Sequence, residues 1–311
     1  MRKKMKLMIQ NMKTVKYSPE LKGSVLALGS TILFACQFPL IKISYGYIQI
    51  EQAILLEAVF TAFFAFIAAK IKGDGVRFAL SIPMAVAAIF NAVGLILLFE
   101  SLKSVHPATV GFLGRLYFVY AVLLGMTYLK ESQSRTDLIL IFLITVGVFF
   151  ISLDETVNLV SEEFIGLCFA ALYPLFFASQ NAIVKKLVKD HSNQDILFTT
   201  KMISLAPLLV YLIVNIGLEG LSFNPYGGLI IGISTFISTF LGLTLMYQAL
   251  REGSFITINL MKAFQPIFVT IFSLALFPVA LGENFWIGAS LVVVPAVISV
   301  VIRHKREAKV C

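Results

Sequence analysis

The sequence predicts an all-α integral membrane protein with ten transmembrane helices in two inverted five-helix repeats. Its composition is the first reason, since 59% of the residues are hydrophobic and only 14% are charged, with a mean hydropathy of +0.91. A soluble domain carries about 25% charged residues, so most of this chain must face lipid. The other reasons are ten long apolar stretches and a segment that occurs twice.

A helix needs about 20 mostly apolar residues to cross a hydrocarbon layer of roughly 30 Å. Ten stretches meet that requirement, and we number them as spans 1 to 10: 22–44, 51–70, 78–99, 107–129, 136–153, 164–186, 196–216, 227–249, 256–278 and 285–303. Six prolines lie within or at the start of these spans, which neighbouring helices in a membrane bundle can accommodate. They are Pro83, Pro107, Pro174, Pro207, Pro266 and Pro295.

Two sequence echoes indicate an internal duplication. The decamer 94–103 reappears as 242–251, an offset of 148 residues, with four identities and four like-for-like exchanges: Phe/Tyr, Glu/Gln, Ser/Ala and Lys/Arg. Phe-Ala-x-Gln at 34–37, followed by Lys42, reappears at 177–180, followed by Lys185, at an offset of 143. The second copy has therefore gained about five residues between the two echoes. Repeats of this kind determine the architecture of a protein.

The duplication divides the chain into two membrane repeats with short basic ends. The predicted boundaries are a basic segment 1–21, a first repeat 22–153, a second repeat 164–303 and a basic tail 304–311. Because each copy has five spans, an odd number, the second enters the membrane from the opposite face. Inverted repeats recur in secondary transporters, where the substrate binds near the membrane midplane between the halves.

Lysine and arginine are distributed unevenly between the two sides of the membrane. They concentrate in the terminal segments and the even-numbered loops, whereas the loop 154–163 has four acidic residues and no basic one. The positive-inside rule then places both termini in the cytoplasm of a cell-membrane protein. This asymmetry accounts for the net charge of +8, so no nucleic acid partner is expected.

The first 16 residues have two open interpretations. Met5, Met8, Ile9 and Met12 recur at helical spacing among lysines, as in a helix lying on an anionic membrane surface. Alternatively, this segment is a disordered basic tail that only fixes the topology.

The repeats resemble the drug/metabolite transporter superfamily, specifically its EamA-type branch. The resemblance rests on a small-residue first helix that ends at Lys42 or Lys185, on Gln265-Pro266 in the ninth span, and on Glu131 at the end of the fourth. It implies a membrane transporter with ten helices. The chain departs from the family pattern at Phe118 and Val279, which replace a proline and a glutamate.

Four ionisable side chains lie inside apolar spans, where a charge is costly and usually faces a cavity or a partner. They are Glu57, Arg115, Lys201 and Lys262, at corresponding places in the two halves. Alternatively, the two lysines, and less readily Arg115 and Glu57, snorkel to the interface. Glu57 and Arg115 enter from the same side at similar depth, so they form either a structural ion pair or part of a binding site. An ion pair would leave Lys201 and Lys262 as a cationic excess that favours an anionic substrate.

Uncharged polar residues in the spans are further candidates for substrate binding. Gln37 and Gln180 are symmetry mates, and each amide either contacts a ligand or bonds between helices. The remaining candidates are Asn91, Tyr117, Tyr173, Asn181, Asn259 and Gln265.

The chain has no phosphate-binding loop, no metal-ligand cluster and no nucleophile–base arrangement. We therefore expect no enzyme activity, no cofactor and no metal, with transport driven by a gradient. The predicted function is alternating-access transport of a small metabolite, with export of amino acids or related carboxylates favoured. The alternatives are an exporter of amphipathic cations or drugs, which would depend on Glu57, and a lipid-handling or structural protein. The expected partners are the substrate and the lipid bilayer, with the protein a monomer or homodimer.

Overall fold

The computed structural model describes residues 19–73, 75–131, 162–217, 219, 224–277 and 282–307, with six further positions between 139 and 150. All regular elements in these ranges are helices, and seven stretches are long and apolar enough to cross a membrane. The predicted all-α membrane class is thereby confirmed. Residues 1–18 of the basic segment, most of the fifth span and residues 308–311 of the tail lie outside the described residues.

The described helices follow the order of the predicted spans. They are α1 (Pro19–Ala35) and α2 (Gln37–Ser44) in span 1, α3 (Ile50–Ile71) in span 2, α4 (Ile82–Ser104) in span 3, α5 (Pro107–Leu113) and α6 (Leu116–Thr127) in span 4, α7 (Glu162–Leu187) in span 6, α8 (Asn193–Ile216) in span 7, α9 (Pro225–Ser234), a π-helix (Thr235–Gly242) and α10 (Leu243–Glu252) in span 8, α11 (Phe255–Met261), a 3₁₀ turn (Lys262–Phe264) and α12 (Gln265–Leu276) in span 9, and α13 (Glu283–Glu307) in span 10.

The third span lies closer to the C-terminus of the chain than predicted, and local chemistry at its beginning explains the difference. The helix begins at Ile82 rather than near residue 78, because Ser81 is extended and its Oγ accepts a hydrogen bond from the Met84 N–H (3.3 Å). Pro83 follows in the first turn, where a proline costs no backbone hydrogen bond. Hydropathy alone marks the apolar run but not such a cap.

The extra residues of the second copy lie in span 8. That helix has 28 residues, whereas span 3 has 23, and each ends ten residues after Gly94 or Gly242. The additional five residues therefore precede Gly242, in the part of the helix that contains the π segment. A π-helix turns less per residue than an α-helix because its hydrogen bonds join i to i+5. Five inserted residues would rotate one end of the helix relative to the other about its axis. The π segment thus offsets part of that rotation.

The contacts of two symmetry-related lysines show that the halves are inverted. Lys42 Nζ donates to the Leu102 carbonyl (2.6 Å), at the end of span 3. Lys185 Nζ donates to the Leu250 carbonyl (2.6 Å), at the end of span 8. Span 8 also ends beside Lys22, at the beginning of span 1 (2.6 Å to Glu252). The beginning of span 1 and the end of span 6 consequently lie at the same face, so the two spans run in opposite directions.

The repeated glycines allow the halves to pack closely. A Cβ at Gly94 would lie 2.7 Å from the Phe177 ring, and one at Gly242 would lie 3.2 Å from the Phe34 ring. Phe34 and Phe177 are themselves symmetry mates, so each half inserts a phenylalanine against the glycine of the other. The two echoes found in the sequence are thus the two sides of one reciprocal contact.

Spans 4 and 9 meet at both ends of the bundle with different chemistry. At one end, the Glu131 carboxylate accepts hydrogen bonds from the first two N–H groups of α11, at 2.9 and 3.2 Å. At the other end, His106 Nδ1 accepts from the Ala108 N–H (3.2 Å) and caps its own helix, α5. Burial lowers the pKa of His106 and outweighs the backbone of Phe277, at the end of span 9, which raises this pKa; the nearby Lys42 ammonium acts in the same direction as burial.

Large apolar side chains cover the outside of the bundle. Examples are Phe63, Val210, Val214 and Leu229, with 52%, 61%, 77% and 61% of their surface exposed. An aqueous surface would not favour so much exposed apolar area. These side chains face the hydrocarbon of the bilayer, as a multi-pass membrane protein requires.

Candidate functional site

A cavity of about 80 Å³ lies between the two halves, among spans 1 to 4 and 6 to 9. Eleven of the twelve side chains predicted for substrate binding line it, and only Asn259 does not. The eleven are Gln37, Glu57, Asn91, Arg115, Tyr117, Tyr173, Gln180, Asn181, Lys201, Lys262 and Gln265. The structure therefore gathers residues from both halves at one place, which is where inverted-repeat transporters hold their substrates.

Glu57 and Lys201 form a buried ion pair in this cavity. Lys201 Nζ lies 2.8 Å from Glu57 Oε2 and 3.1 Å from Oε1, and both side chains are 1–2% exposed. The pair joins α3 to α8, which are symmetry-related helices of opposite halves. Both carboxylate oxygens are occupied by the lysine, so the pair adds no net charge to the cavity.

This ion pair corrects two expectations. Glu57 bonds to Lys201 and not to Arg115, so the proposed link between spans 2 and 4 is wrong. Glu57 and Arg115 lie at similar depths within their spans. Depth, however, does not determine which face of a helix a side chain occupies. Snorkelling is also wrong for both lysines, because Lys201 is 1% and Lys262 is 7% exposed.

Arg115 and Lys262 supply the positive charge of the cavity. Arg115 Nη2 donates to Gln265 Oε1 (2.9 Å), across the two halves, and its Nε has no hydrogen-bond partner. The Lys262 ammonium lies 4.0 Å from the centroid of the Tyr117 ring and 5.5 Å from that of Phe34. Among the described residues, neither cation has a carboxylate within 4.0 Å. The cavity thus carries two cations that no acidic side chain balances.

Both cations lie where their helices are interrupted. Arg115 stands between α5 and α6, and Lys262 opens the 3₁₀ turn between α11 and α12. Backbone N–H groups at these breaks remain hydrogen-bonded, as in the contacts of Arg115 with Phe112 (2.8 Å) and Gln265 with Lys262. The positive potential at this level is therefore supplied by the side chains rather than by free helix ends.

Amide and hydroxyl groups line the rest of the cavity. Asn91 Nδ2 donates to Gln180 Oε1 (3.0 Å), and Gln180 Nε2 donates to the Tyr247 hydroxyl (3.5 Å). Asn181 Nδ2 donates to the Tyr117 hydroxyl (2.8 Å). The side chain of Gln37 makes no hydrogen bond within the described part of the chain. These groups can recognise a polar ligand without adding charge.

Some features of the site were missed, and one predicted residue lies elsewhere. Asn259 is buried in α11, where its Nδ2 donates to the Phe255 carbonyl of its own helix (2.7 Å). Aromatic and aliphatic side chains also line the cavity: Phe34, Phe38, Leu95, Leu98, Phe177 and Leu243. Phe34 and Phe177 belong to the repeated Phe-Ala-x-Gln motif, so the echo itself contained a signal for two of them.

Comparison with protein families explains the architecture. The model of the EamA-like transporter family matches residues 21–153 and again 164–301, which together are most of the chain. The chain belongs to the EamA-like transporter family. As an EamA-like protein it is a membrane transporter of small molecules. No curated protein matches its sequence.

Solved structures share the fold of this EamA-like transporter. Twenty-eight of their chains match. One, described as "Crystal structure of protein", is 14% identical, with a TM-score of 0.69 over 89% of this chain and 97% of that one. At this identity the likeness concerns the fold alone.

Proposed function

We propose that this EamA-like transporter moves small carboxylates, amino acids among them, out of the cell by alternating access. The proposal rests on two buried cations, Arg115 and Lys262. Both face the cavity, and neither has a carboxylate partner among the described residues. An unbalanced charge inside a membrane protein costs about 2.5–3.5 kcal/mol on insertion scales. An anionic substrate offsets this cost when it binds.

The size of the cavity also supports a small substrate. Its 80 Å³ is about half the volume of an engineered cavity of roughly 150 Å³ that binds benzene. Drug-sized molecules occupy pockets of about 300–1,000 Å³. A bulky cation would therefore require the cavity to widen, and it would meet two positive charges with Glu57 already held by Lys201.

The contacts between the halves support alternating access. Span 1 packs on span 8 and span 6 on span 3 through equivalent glycine–phenylalanine contacts. The two halves can therefore exchange roles about the axis, which opens the cavity to one face and then to the other. We further propose that the face bearing Lys22 and Lys185 is cytoplasmic, since basic residues of short loops stay on that side.

Solute counterflow into proteoliposomes tests the proposal. The purified protein is screened against labelled amino acids, other carboxylates and amphipathic cations, and efflux is followed from vesicles of each orientation. Arg115→Met and Lys262→Met should each weaken the apparent affinity for a carboxylate by roughly tenfold or more, since a bond to a charged group contributes about 1.5–3 kcal/mol. Lys22→Met, which removes a cation at the bundle's edge, is the matched control.

Two results contradict the proposal. One is carboxylate transport that survives the double replacement of Arg115 and Lys262 by methionine. The other is transport of cations that is abolished by Glu57→Gln, which would identify a cation carrier with a free carboxylate.

A further inference from the structure

Two asparagines of the cavity present carbonyl oxygens that have no partner. Asn91 lies on α4 and Asn181 on α7, the two helices that form the largest interface of the described bundle. Their side chains are 3% and 4% exposed, and Oδ1 of each lacks a hydrogen-bond donor among the described residues. Because a buried polar atom without a partner is costly, these oxygens require an explanation.

The nitrogens of both amides already have partners. The Nδ2 group of Asn91 donates to Gln180 Oε1, and that of Asn181 donates to the Tyr117 hydroxyl. Neither Oδ1 has a donor within the described part of the chain, so the oxygens are the atoms of these amides that have no partner there. Each asparagine therefore offers the cavity a free acceptor.

The Asn181 acceptor lies close to one of the cations. Tyr117 is the link, because its hydroxyl accepts a hydrogen bond from Asn181 while the centroid of its ring lies 4.0 Å from the Lys262 ammonium. Acceptor and cation are consequently separated by little more than one aromatic ring. A small molecule that carries both a negative group and a hydrogen-bond donor can reach both.

We propose that Asn91 and Asn181 determine specificity, so that the site selects carboxylates that also bear an N–H or O–H donor. This proposal rests on carboxylate transport, which is the proposed function. Glu57 is the obvious rival as the acceptor, but both its oxygens lie within 3.1 Å of the Lys201 ammonium. The asparagine carbonyls, which are buried and have no donor among the residues that the structure describes, therefore remain available to a substrate.

Counterflow with three matched substrates tests the inference. These are an aliphatic carboxylic acid, its 2-hydroxy derivative and its 2-amino derivative, which differ only in the donor. The wild type should favour the two donor-bearing acids by roughly tenfold or more, since a site with buried polar groups rejects a ligand that leaves them unpaired. Asn91→Leu and Asn181→Leu should abolish most of this preference, measured as the ratio of the counterflow rates of the donor-bearing acids to that of the unsubstituted acid in the same variant.

Asn259→Leu is the matched control. Asn259 also has a buried Oδ1 without a partner, but it does not line the cavity, so its replacement should leave the preference intact. Should a leucine variant fail to fold, Asn91→Ser and Asn181→Ser remove the same carbonyl with a smaller, polar side chain.

The possible outcomes distinguish this inference from the proposed function. If the wild type transports none of the three acids, the proposed function fails. If it transports all three equally, or if the asparagine variants keep the wild-type preference, the proposed function stands and the inference is overturned, with the carbonyls binding water only.

Discussion

Removing the charge of Glu57 should destabilise the protein strongly. The variant Glu57→Gln keeps the shape of the side chain but leaves the Lys201 ammonium, 1% exposed, without a counter-charge. Breaking a buried ion pair in this way costs about 3–5 kcal/mol. At roughly 2–4 °C per kcal/mol, the unfolding midpoint should fall by about 6–20 °C.

A second variant separates the cost of the orphaned charge from the value of the pair. In Glu57→Gln combined with Lys201→Met, no charge remains buried, so most of the stability should return. Replacing a whole buried pair by well-packed hydrophobic residues of similar volume is often neutral or stabilising by about 1–4 kcal/mol. Thermal unfolding of the detergent-solubilised protein, followed by intrinsic fluorescence, measures both variants under identical conditions.

The pair Lys22–Glu252 provides the comparison. It has a similar distance, 2.6 Å, but its side chains are 56% and 21% exposed, and exposed pairs contribute little. Lys22→Met should therefore shift the midpoint only slightly. A shift for Glu57→Gln as small as this control, or a double variant less stable than the single one, would refute the reasoning.

Three further predictions concern the ends and crossings of the spans. Glu131→Gln should lower the free energy of unfolding by about 1 kcal/mol, because α11 loses a charged cap, and hydrogen exchange at its first N–H groups should accelerate. His106→Asn should flatten the loss of stability on acidification, measured as the unfolding midpoint between pH 8 and pH 5. The folded pKa of His106 is lowered, so the unfolded chain binds the proton first, below its pKa of about 6.5. Gly94→Ala should cost about 1–3 kcal/mol in unfolding assays, because its Cβ meets a ring at 2.7 Å, whereas Gly29→Ala has 3.6 Å of room.

Each of these predictions has a result that contradicts it. Unchanged exchange in Glu131→Gln would show that the cap does not hold α11. An unaltered pH profile in His106→Asn, which retains a capping oxygen, would assign the acid sensitivity to another group. Equal midpoints for the two alanine variants would mean that the Gly94 crossing relaxes freely.

Periodicity and repetition in the sequence were sufficient to predict the architecture. Membrane helices can be recognised in a sequence by the length of their apolar stretches. The offsets of 143 and 148 residues predicted both the duplication and an insertion in the second copy. Only the structure shows that the insertion lies in span 8. A helix can accommodate extra residues by changing its number of residues per turn rather than by forming a loop.

The partners of the cavity charges were harder to predict. Counting residues at 1.5 Å each placed Glu57 and Lys201 at different heights, since they enter from opposite faces. The long side chain of Lys201 spans this difference in height. A count of backbone positions does not include the length of side chains. The same count matched Glu57 to Arg115 in height, although they occupy different helix faces. The polar residues could thus be identified from the sequence, but their pairing could not.

The Glu57–Lys201 pair also limits how the protein could have descended from a single half. Residues related by a two-fold axis face their own copies when the halves are identical. A homodimer of identical five-helix chains would therefore place two copies of the same residue at this point, and two copies of a charged residue would repel each other. Opposite charges at equivalent positions require two halves whose sequences differ. Duplication, which allowed each copy to change separately, is the condition for this contact to exist.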